Sequence, residues 1–490
     1  MSYIGIDVGT SGCKVIAFDR NGRVLCKAAR AYAEIRENAY RALDPNTVAK
    51  NVLEALAETA ASCAPVESIA ITTMGESVVC LDEKDNVLCS AMVTGDERGT
   101  MEAVQLRNSF GNVPMMRKTG LTPTEMYTLP KLMWLAKHTD ALKRAKKIFF
   151  FEDYFGYLLT GERFVSHSSA SRSLMFDVIQ KAWIPAYMAQ ACLKPDQFSR
   201  PVPSGTIVGT VLPSMARMLH LSEKTVVVAG GHDQCCAALG SGLIDGSACE
   251  DGHGTCEFSS ILLPPEADEQ LMIDQCLPKC PYVLPDTFFT GIETTTCGAM
   301  MNWARDTLFQ PQASQWGRRF FDQMDAAAAR LQTNLLILPQ FGSSGNPDIN
   351  YNVSGVIAGL TLHTEPTELY LALKESLAFQ MKMAMEHAAV IGLHPNKLIL
   401  TGGGSSSDLT ARIRADVFQL PVYRLACPEA GAMGCMILGA AALGHASCIA
   451  ECAKETVRLT EPVYPDANRI TYYQDKYSRY IELYDKMHLF

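Results

Sequence analysis

One local pattern occurs twice in this chain, about half its length apart, and that repetition limits the fold more than any other feature. Near the start, Tyr3-Ile4-Gly5-Ile6-Asp7-Val8 forms a buried strand, Gly9-Thr10-Ser11-Gly12 a turn, and Lys14 to Phe18 a second strand. Asp19-Arg20-Asn21-Gly22 then signals a hairpin into a third strand, Arg23 to Lys27. Near the middle, Gly246-Ser247-Ala248-Cys249-Glu250-Asp251 leads into a Gly-rich turn, Gly252-His253-Gly254-Thr255, and an apolar stretch from Cys256 to Leu263. Two such units at this spacing predict two halves built on one plan, not a solenoid. A length of 490 residues agrees, because single cores stop growing at ~250–300 residues. The expected boundary lies at Gly240–Gly246, giving domains 1–245 and 246–490, the second with a C-terminal helical tail.

Between these units, Glu67 to Thr73, Thr225 to Ala229, Leu335 to Leu338 and Leu398 to Leu400 read as strands. Asp44 to Cys63, Lys131 to Lys146 and Glu368 to Ala389 carry helical spacing. Strands alternating with helices in both halves give an α/β class. Tyr473, Tyr477, Tyr480, Ile481 and Tyr484 share one face of a terminal helix, a stripe read as core packing.

Lys plus Arg total 43 against 52 Asp plus Glu, a net charge of −9, the wrong sign for a nucleic-acid partner. The longest apolar run, Ala432 to Leu443, is broken by Gly434 and Gly439 and falls short of the ~18–20 residues that span a bilayer. Seventeen cysteines, an odd number, are scattered through both halves behind an N-terminus, MSYIGIDVGT, with no hydrophobic leader. No C-x2-C repetition marks a zinc site. A cytoplasmic chain using cysteine as a small buried hydrophobe is the expectation.

Chemistry concentrates at strand ends. Asp7-x-Gly9-Thr10-Ser11 places glycine where backbone N–H groups can point at phosphate oxygens, with a carboxylate able to hold hydrated magnesium and Lys14 as an added cation. An ordinary turn with a capping Asp fits the same string. Gly254 and Thr255 offer a matching turn in the other half. Thr225 to Ala229 runs into Gly230-Gly231-His232-Asp233, which delivers Asp233 to a strand end, either as general base or as helix N-cap. His232 reads as a substrate hydrogen-bonding or a packed residue. Thr401-Gly402-Gly403-Gly404-Ser405-Ser406-Ser407-Asp408 opens a helix from Leu409 to Phe418, as a nucleotide-bordering or a plain βα loop.

Together these strings resemble the FGGY carbohydrate kinases, from about residue 3 to residue 445 and in the expected order. Met126 to His138 is similar to the family's N-terminal signature with its K-x-x-W core, Lys131 to Trp134. Gly355 to Leu360 with Ala372 to Gln380 is similar to the C-terminal signature, although Leu373 and Lys374 depart from its usual residues. Leu158 to Glu162, Ser169 to Arg172 and Glu429 to Gly434 also fall where the family has similar strings.

The resemblance implies two duplicated actin-like, ribonuclease H-like domains with an ATP–sugar cleft between them, and transfer of a phosphoryl group from ATP to a hydroxyl of a ketose, deoxyketose or polyol. It implies that Gly9, Thr10, Ser11, Lys14, Gly254 and Thr255 bind phosphates and that Gly402, Gly403, Ser405 and Asp408 border the nucleotide. Asp7 and Asp233 would form the Mg²⁺ set, with Asp233 also the catalytic base. Gly75, Glu76, Asp96, Arg98, Asp153, His232 and Asp233 would contact the sugar. Glu76 and Thr94 give the pocket a charge and volume that argue against glycerol and D-xylulose, and Gly231-His232-Asp233 is more like rhamnulose and fuculose kinases. The expected partners are ATP, a sugar or polyol and a second copy in a homodimer, with no nucleic acid and no membrane. The alternative is a non-catalytic ATP- and sugar-binding sensor of the same fold. An actin-like or chaperone ATPase is disfavoured by the K-x-x-W signature.

Overall fold

The computed structural model describes residues 1–37, 40–63, 65–342, 344–346 and 353–487. They form two compact units: Met1–Ile244 with Pro278–Phe289 and Glu429–Val457, and Asp245–Leu277 with Thr290–Pro428 and Arg458–Phe490. The first division falls between Ile244 and Asp245, but contiguous halves leave out two later segments that pack with the first unit.

The first unit is built on β1 (Ser2–Val8), β2 (Gly12–Phe18), β3 (Val24–Ala31), β4 (Val66–Thr73), β5 (Ile207–Thr210) and β6 (Val226–His232), in the order β5-β6-β4-β1-β2-β3. β1 runs antiparallel to β2 and parallel to β4, and β6 runs parallel to β4. The central strands are buried on both faces, which is why they read as continuous apolar runs. Helix α1 (Pro45–Cys63) is capped by Asp44, whose carboxylate accepts from the backbone N–H of Asn46 and Thr47 at 3.1 and 3.2 Å. The helix expected over Lys131 to Lys146 is two: α2 (Thr128–His138) and a short turn, Ala141–Arg144. Thr139 is extended between them, and its hydroxyl accepts from the N–H of Ala141, starting the second helix afresh. Helices α3 (Phe151–Thr160) and α4 (Asp233–Gly240) complete the elements that carry candidate residues in this unit.

In the second unit β7 (Ala248–His253), β8 (Glu257–Leu262), β9 (Phe288–Thr294, in this unit from Thr290), β10 (Lys397–Gly402) and β11 (Val422–Arg424) lie in the order β9-β8-β7-β10-β11. Relabelled by appearance this is 3-2-1-4-5, the same order as β3-β2-β1-β4-β6. The duplication read from two short strings is therefore a duplication of whole sheets. Gly252 and His253, expected in the turn, belong to the strand: they pair with Phe258 and Glu257, which narrows the turn to Gly254-Thr255-Cys256. Helices α5 (Gly298–Thr307), α6 (Pro366–Ala388) and α7 (Asp408–Phe418) also belong here.

The chain then re-enters the first unit as α8 (Ala430–Ala442), the apolar run noted in the sequence, buried along most of its length. A Cβ on Gly5 of β1 would overlap the carbonyl of Ala432, and one on Gly434 that of Cys236 in α4. Glycine at these points lets backbones touch. No described helix is long and apolar enough to cross a membrane. Helix α9 (Ala467–Met487) ends the second unit with Tyr473, Tyr480 and Tyr484 in its core, as the stripe predicts. All 17 cysteines are free thiols.

Candidate active site

In the first unit Asp7 is the penultimate residue of β1, paired with Lys14 across the hairpin and Thr72 in β4. The turn after it is closed by Gly9 N–H donating to Gly12 C=O at 2.9 Å, and Tyr32 Oη donates to the Gly9 carbonyl at 2.7 Å. Burial raises the Asp7 carboxyl, Lys14 opposes the rise and Glu429 adds to it, leaving it at about 6. Lys14 does not stand alone: Glu429 accepts from it at 2.8 Å, and Lys27 is 3.4 Å from the same carboxylate.

β6 runs on to His232, so Asp233 opens α4. Its Oδ1 accepts from the N–H of Gln234 at 2.6 Å and lies 3.1 Å from His232 Nε2. The carboxyl sits in a recess: 38% of its side-chain surface is exposed, yet dense surroundings, Glu76 and Asp7 push it up to about 7. His232 is buried, and burial with Arg172 nearby lowers it to about 3, so the ring is neutral at physiological pH.

Beside this pair lies a charged cluster. Glu76 is buried, and Arg172 donates to its Oε1 at 2.7 Å through Nε. Thr94 Oγ1 donates to its Oε2 at 3.0 Å, and His232 Nε2 is 4.0 Å away. Burial alone would raise this carboxyl, but Arg172 leads the charges that hold it down at about 2. Gly75 is required by close approach, since a Cβ there would strike Arg172 and His232. Asp96, fully buried, is gripped by Arg98 through Nε at 2.9 Å and Nη2 at 2.7 Å, and Arg98 lies over the rings of Tyr40 and Trp134 at 5.0 and 5.2 Å. The tryptophan of K-x-x-W is thus a platform for an arginine.

Asp153 is not part of this cluster. It is fully buried on α3, burial holds its carboxyl well above the usual range, and its polar neighbours are Ser199 and Glu152.

In the second unit the carbonyls of Gly254 and Thr255 accept from the first N–H groups of α5, at 3.0 Å from Gly298 and 3.1 Å from Ala299. Beneath the turn, Asp251, His253 and Glu257 bring their ligand atoms within 4.8 Å of one another, a grouping with the donors of a metal site. Arg414 takes that role: it contacts Glu257 Oε1 at 2.5 Å and Asp251 at 3.6 Å, and His253 Nε2 is 3.0 Å from Asp251. The grouping is an internal ion-pair network. Gly402 turns with φ 75°, Ser405 Oγ donates to its carbonyl at 2.7 Å, and Ser407 caps α7 through the N–H of Thr410 at 3.0 Å. Asp408 is 85% exposed and pairs with Arg424 at 2.8 Å.

Sequence reasoning missed Arg172, Lys131 and Lys374 as site residues. Lys374 is 2.6 Å from Asp325 and donates to Ser407 Oγ at 2.7 Å, tying α6 to the Gly-rich loop. Arg172 and Lys131 lie inside the family-like strings Ser169 to Arg172 and Lys131 to Trp134, but nothing local in the sequence tells which member faces Glu76.

Residues 2–240 match the sequence model of the FGGY family of carbohydrate kinases, N-terminal domain, and residues 281–443 match that family's C-terminal domain. A xylulose kinase of Bacillus subtilis (strain 168) is 27% identical over 494 residues, covering 99% of this chain and 97% of the relative. An autoinducer-2 kinase of Escherichia coli (strain K12) is also 27% identical, covering 98% and 93%. The crystal structure of xylulose kinase from Rhodospirillum rubrum superposes with a TM-score of 0.88 at 24% identity, over 100% of this chain and 99% of that one.

Proposed function

Because the chain belongs to the FGGY family of carbohydrate kinases, and so phosphorylates a sugar hydroxyl with ATP, we propose that the sugar binds in the first unit against Glu76, Arg172 and His232, with Asp233 as the base. The observation that carries this reading is the continuous chain of groups from Thr94 through Glu76 and His232 to Asp233. A carboxylate held near neutrality can lose its proton to water and then accept one from a hydroxyl. His232, neutral, presents Nε2 to Asp233 Oδ1 and orients it. Arg172 and Thr94 fix Glu76 as an acceptor for sugar hydroxyls, and Arg98 is braced by two aromatic rings. Phosphoryl transfer depends mainly on positioning and charge, and these hydrogen bonds and ring contacts supply the positioning.

For phosphates the reading uses the backbone of Gly9, Thr10 and Ser11 with Lys14, and the Gly254-Thr255 turn, while Gly402, Gly403, Ser405 and Asp408 border the nucleotide. Asp7 and Asp233 fit a hard, oxygen-liganded cation: each is pushed above the usual carboxylate range, and Asp7 contributes to the rise at Asp233. Magnesium held there supplies charge neutralisation at the terminal phosphates of ATP. The substrate class proposed is a ketose or deoxyketose, with the carboxylate of Glu76 selecting hydroxyl donors.

A coupled ADP-release screen across ketopentoses, deoxyketoses, polyols and sugar acids, with D-xylulose included, tests the class. Asp233→Asn is expected to lower sugar-dependent turnover by about 10²–10⁴-fold with nucleotide affinity retained. Wild-type turnover by that variant removes Asp233 from the mechanism, and no acceleration by any sugar returns the reading to a sensor.

A further inference from the structure

Helix α2 docks against the Gly75-Glu76 segment, because the hydroxyl of Thr128, its first residue, donates to the backbone carbonyl of Glu76 at 3.0 Å. One turn along the same helix lies Lys131, only 2% exposed, and its ammonium makes no hydrogen bond. A buried ammonium with no direct partner is costly and persists only where surrounding charge compensates it. The compensating groups are those of the sugar recess: the carboxylates of Glu76 and Asp96 favour its proton, while burial, Arg172 and Arg98 oppose it. The adjacent helix Thr100–Phe110 presents Glu102, which is taken by Lys137 at 2.8 Å. Arg172 and Arg98 are each committed to one carboxylate by short hydrogen bonds. Lys131 is committed to neither.

We propose that Lys131 is a positioning and specificity-determining residue whose buried positive charge, on the helix that Thr128 ties to Glu76, keeps the Glu76 carboxylate aimed at the sugar. The proposal rests on the reading that Glu76 contacts the sugar. Burial lowers the Lys131 ammonium to about 8, so the device switches within an accessible pH range. As the ammonium empties, Glu76 loses one of the positive charges that face it, and sugar affinity falls while the phosphoryl-transfer step, which uses Asp233, does not.

The test is initial-rate kinetics from about pH 6.5 to about 9.5 with the best sugar from the screen. In the wild type the KM for sugar is expected to rise above about pH 8, by roughly tenfold at the alkaline end, since each pH unit past a pKa empties the group tenfold. The KM for ATP should hold, and so should kcat above about pH 8, where Asp233 is already ionised. Lys131→Arg, which stays charged, should keep a low sugar KM and lose the alkaline rise. Lys131→Met should show a raised, pH-flat KM. A packing role alone would leave the alkaline rise in place in Lys131→Arg, and that result overturns the proposal, as does a wild-type KM that is flat through pH 9.5. Should neither Lys131 variant fold, Glu76→Gln decides: with one compensating carboxylate gone, the rise should begin at lower pH. An unmoved onset overturns the proposal, whereas an unchanged sugar KM in Glu76→Gln overturns the underlying assignment of the sugar site instead.

Discussion

The two glycine turns occupy equivalent places in equivalent sheets and carry different chemistry. Asp7 pairs with Lys14 on one side and Thr72 on the other; in the second unit the residue at that rung is Gly252, paired with Phe258 and Thr401. The first turn therefore follows a carboxylate left half-buried at about 6. The second follows a residue with no side chain, and its carboxylates, one rung earlier and across the hairpin, point into a buried network closed by Arg414. Duplication preserved the backbone cradle. The ionisable chemistry stayed with the first unit, while the second spends its charges on stability.

This asymmetry can be broken or sharpened by experiment. The largest expected effect is at the first turn: Asp7→Asn should lower kcat by about 10²–10³-fold, the scale of removing one preorganised electrostatic group. Gly252→Ala should instead act on stability, because a Cβ there meets the Phe258 carbonyl and the Glu250 carboxylate at 3.2 and 3.3 Å. Equal kinetic losses in the two variants would erase the distinction. Next in size, Arg414→Met strands Asp251 and Glu257 in the interior and should cost about 3–5 kcal/mol in chemical denaturation. Lys14→Met removes a cation that is 53% exposed and should cost no more than about 1 kcal/mol. A small loss at Arg414 would mean the network is dispensable.

The smallest effect separates function from stability at one residue. The folded carboxyl of Asp233 lies at about 7, above its unfolded value, so the stability it contributes is present at acid pH and is lost as pH rises towards 7. Asp233→Asn should therefore leave Tm unchanged near pH 4 and raise it slightly at pH 8, as turnover disappears. A lower Tm at pH 8 would contradict the strained, neutral-poised carboxyl.

Local chemistry was readable and long-range partnership was not. Asp7, Gly9 and Asp233 stood out because an apolar run ending in Asp and Gly is informative within ten residues. Gly252 read as turn because glycine weakens strand propensity, and only pairing with Phe258 shows that the ladder overrides it. Arg172 reaches Glu76 across 96 positions of sequence, and no periodicity encodes that. The same limit applies to Lys374, whose departure from the usual signature became meaningful once Asp325 and Ser407 were seen beside it.

Helix α8 has a consequence for synthesis. β1 carries Gly5 against Ala432, and α4 carries Gly240 against Ala430 and Cys236 against Gly434. A nascent chain that has emerged only to residue 245 thus exposes a finished sheet with a bare apolar groove where this helix belongs, and must hold it open while nearly two hundred further residues are translated. The first unit cannot close before the second is largely made. On the ribosome, assembly of this kinase is expected to be gated by its last eighth, and a chaperone that shields the groove would act in that interval.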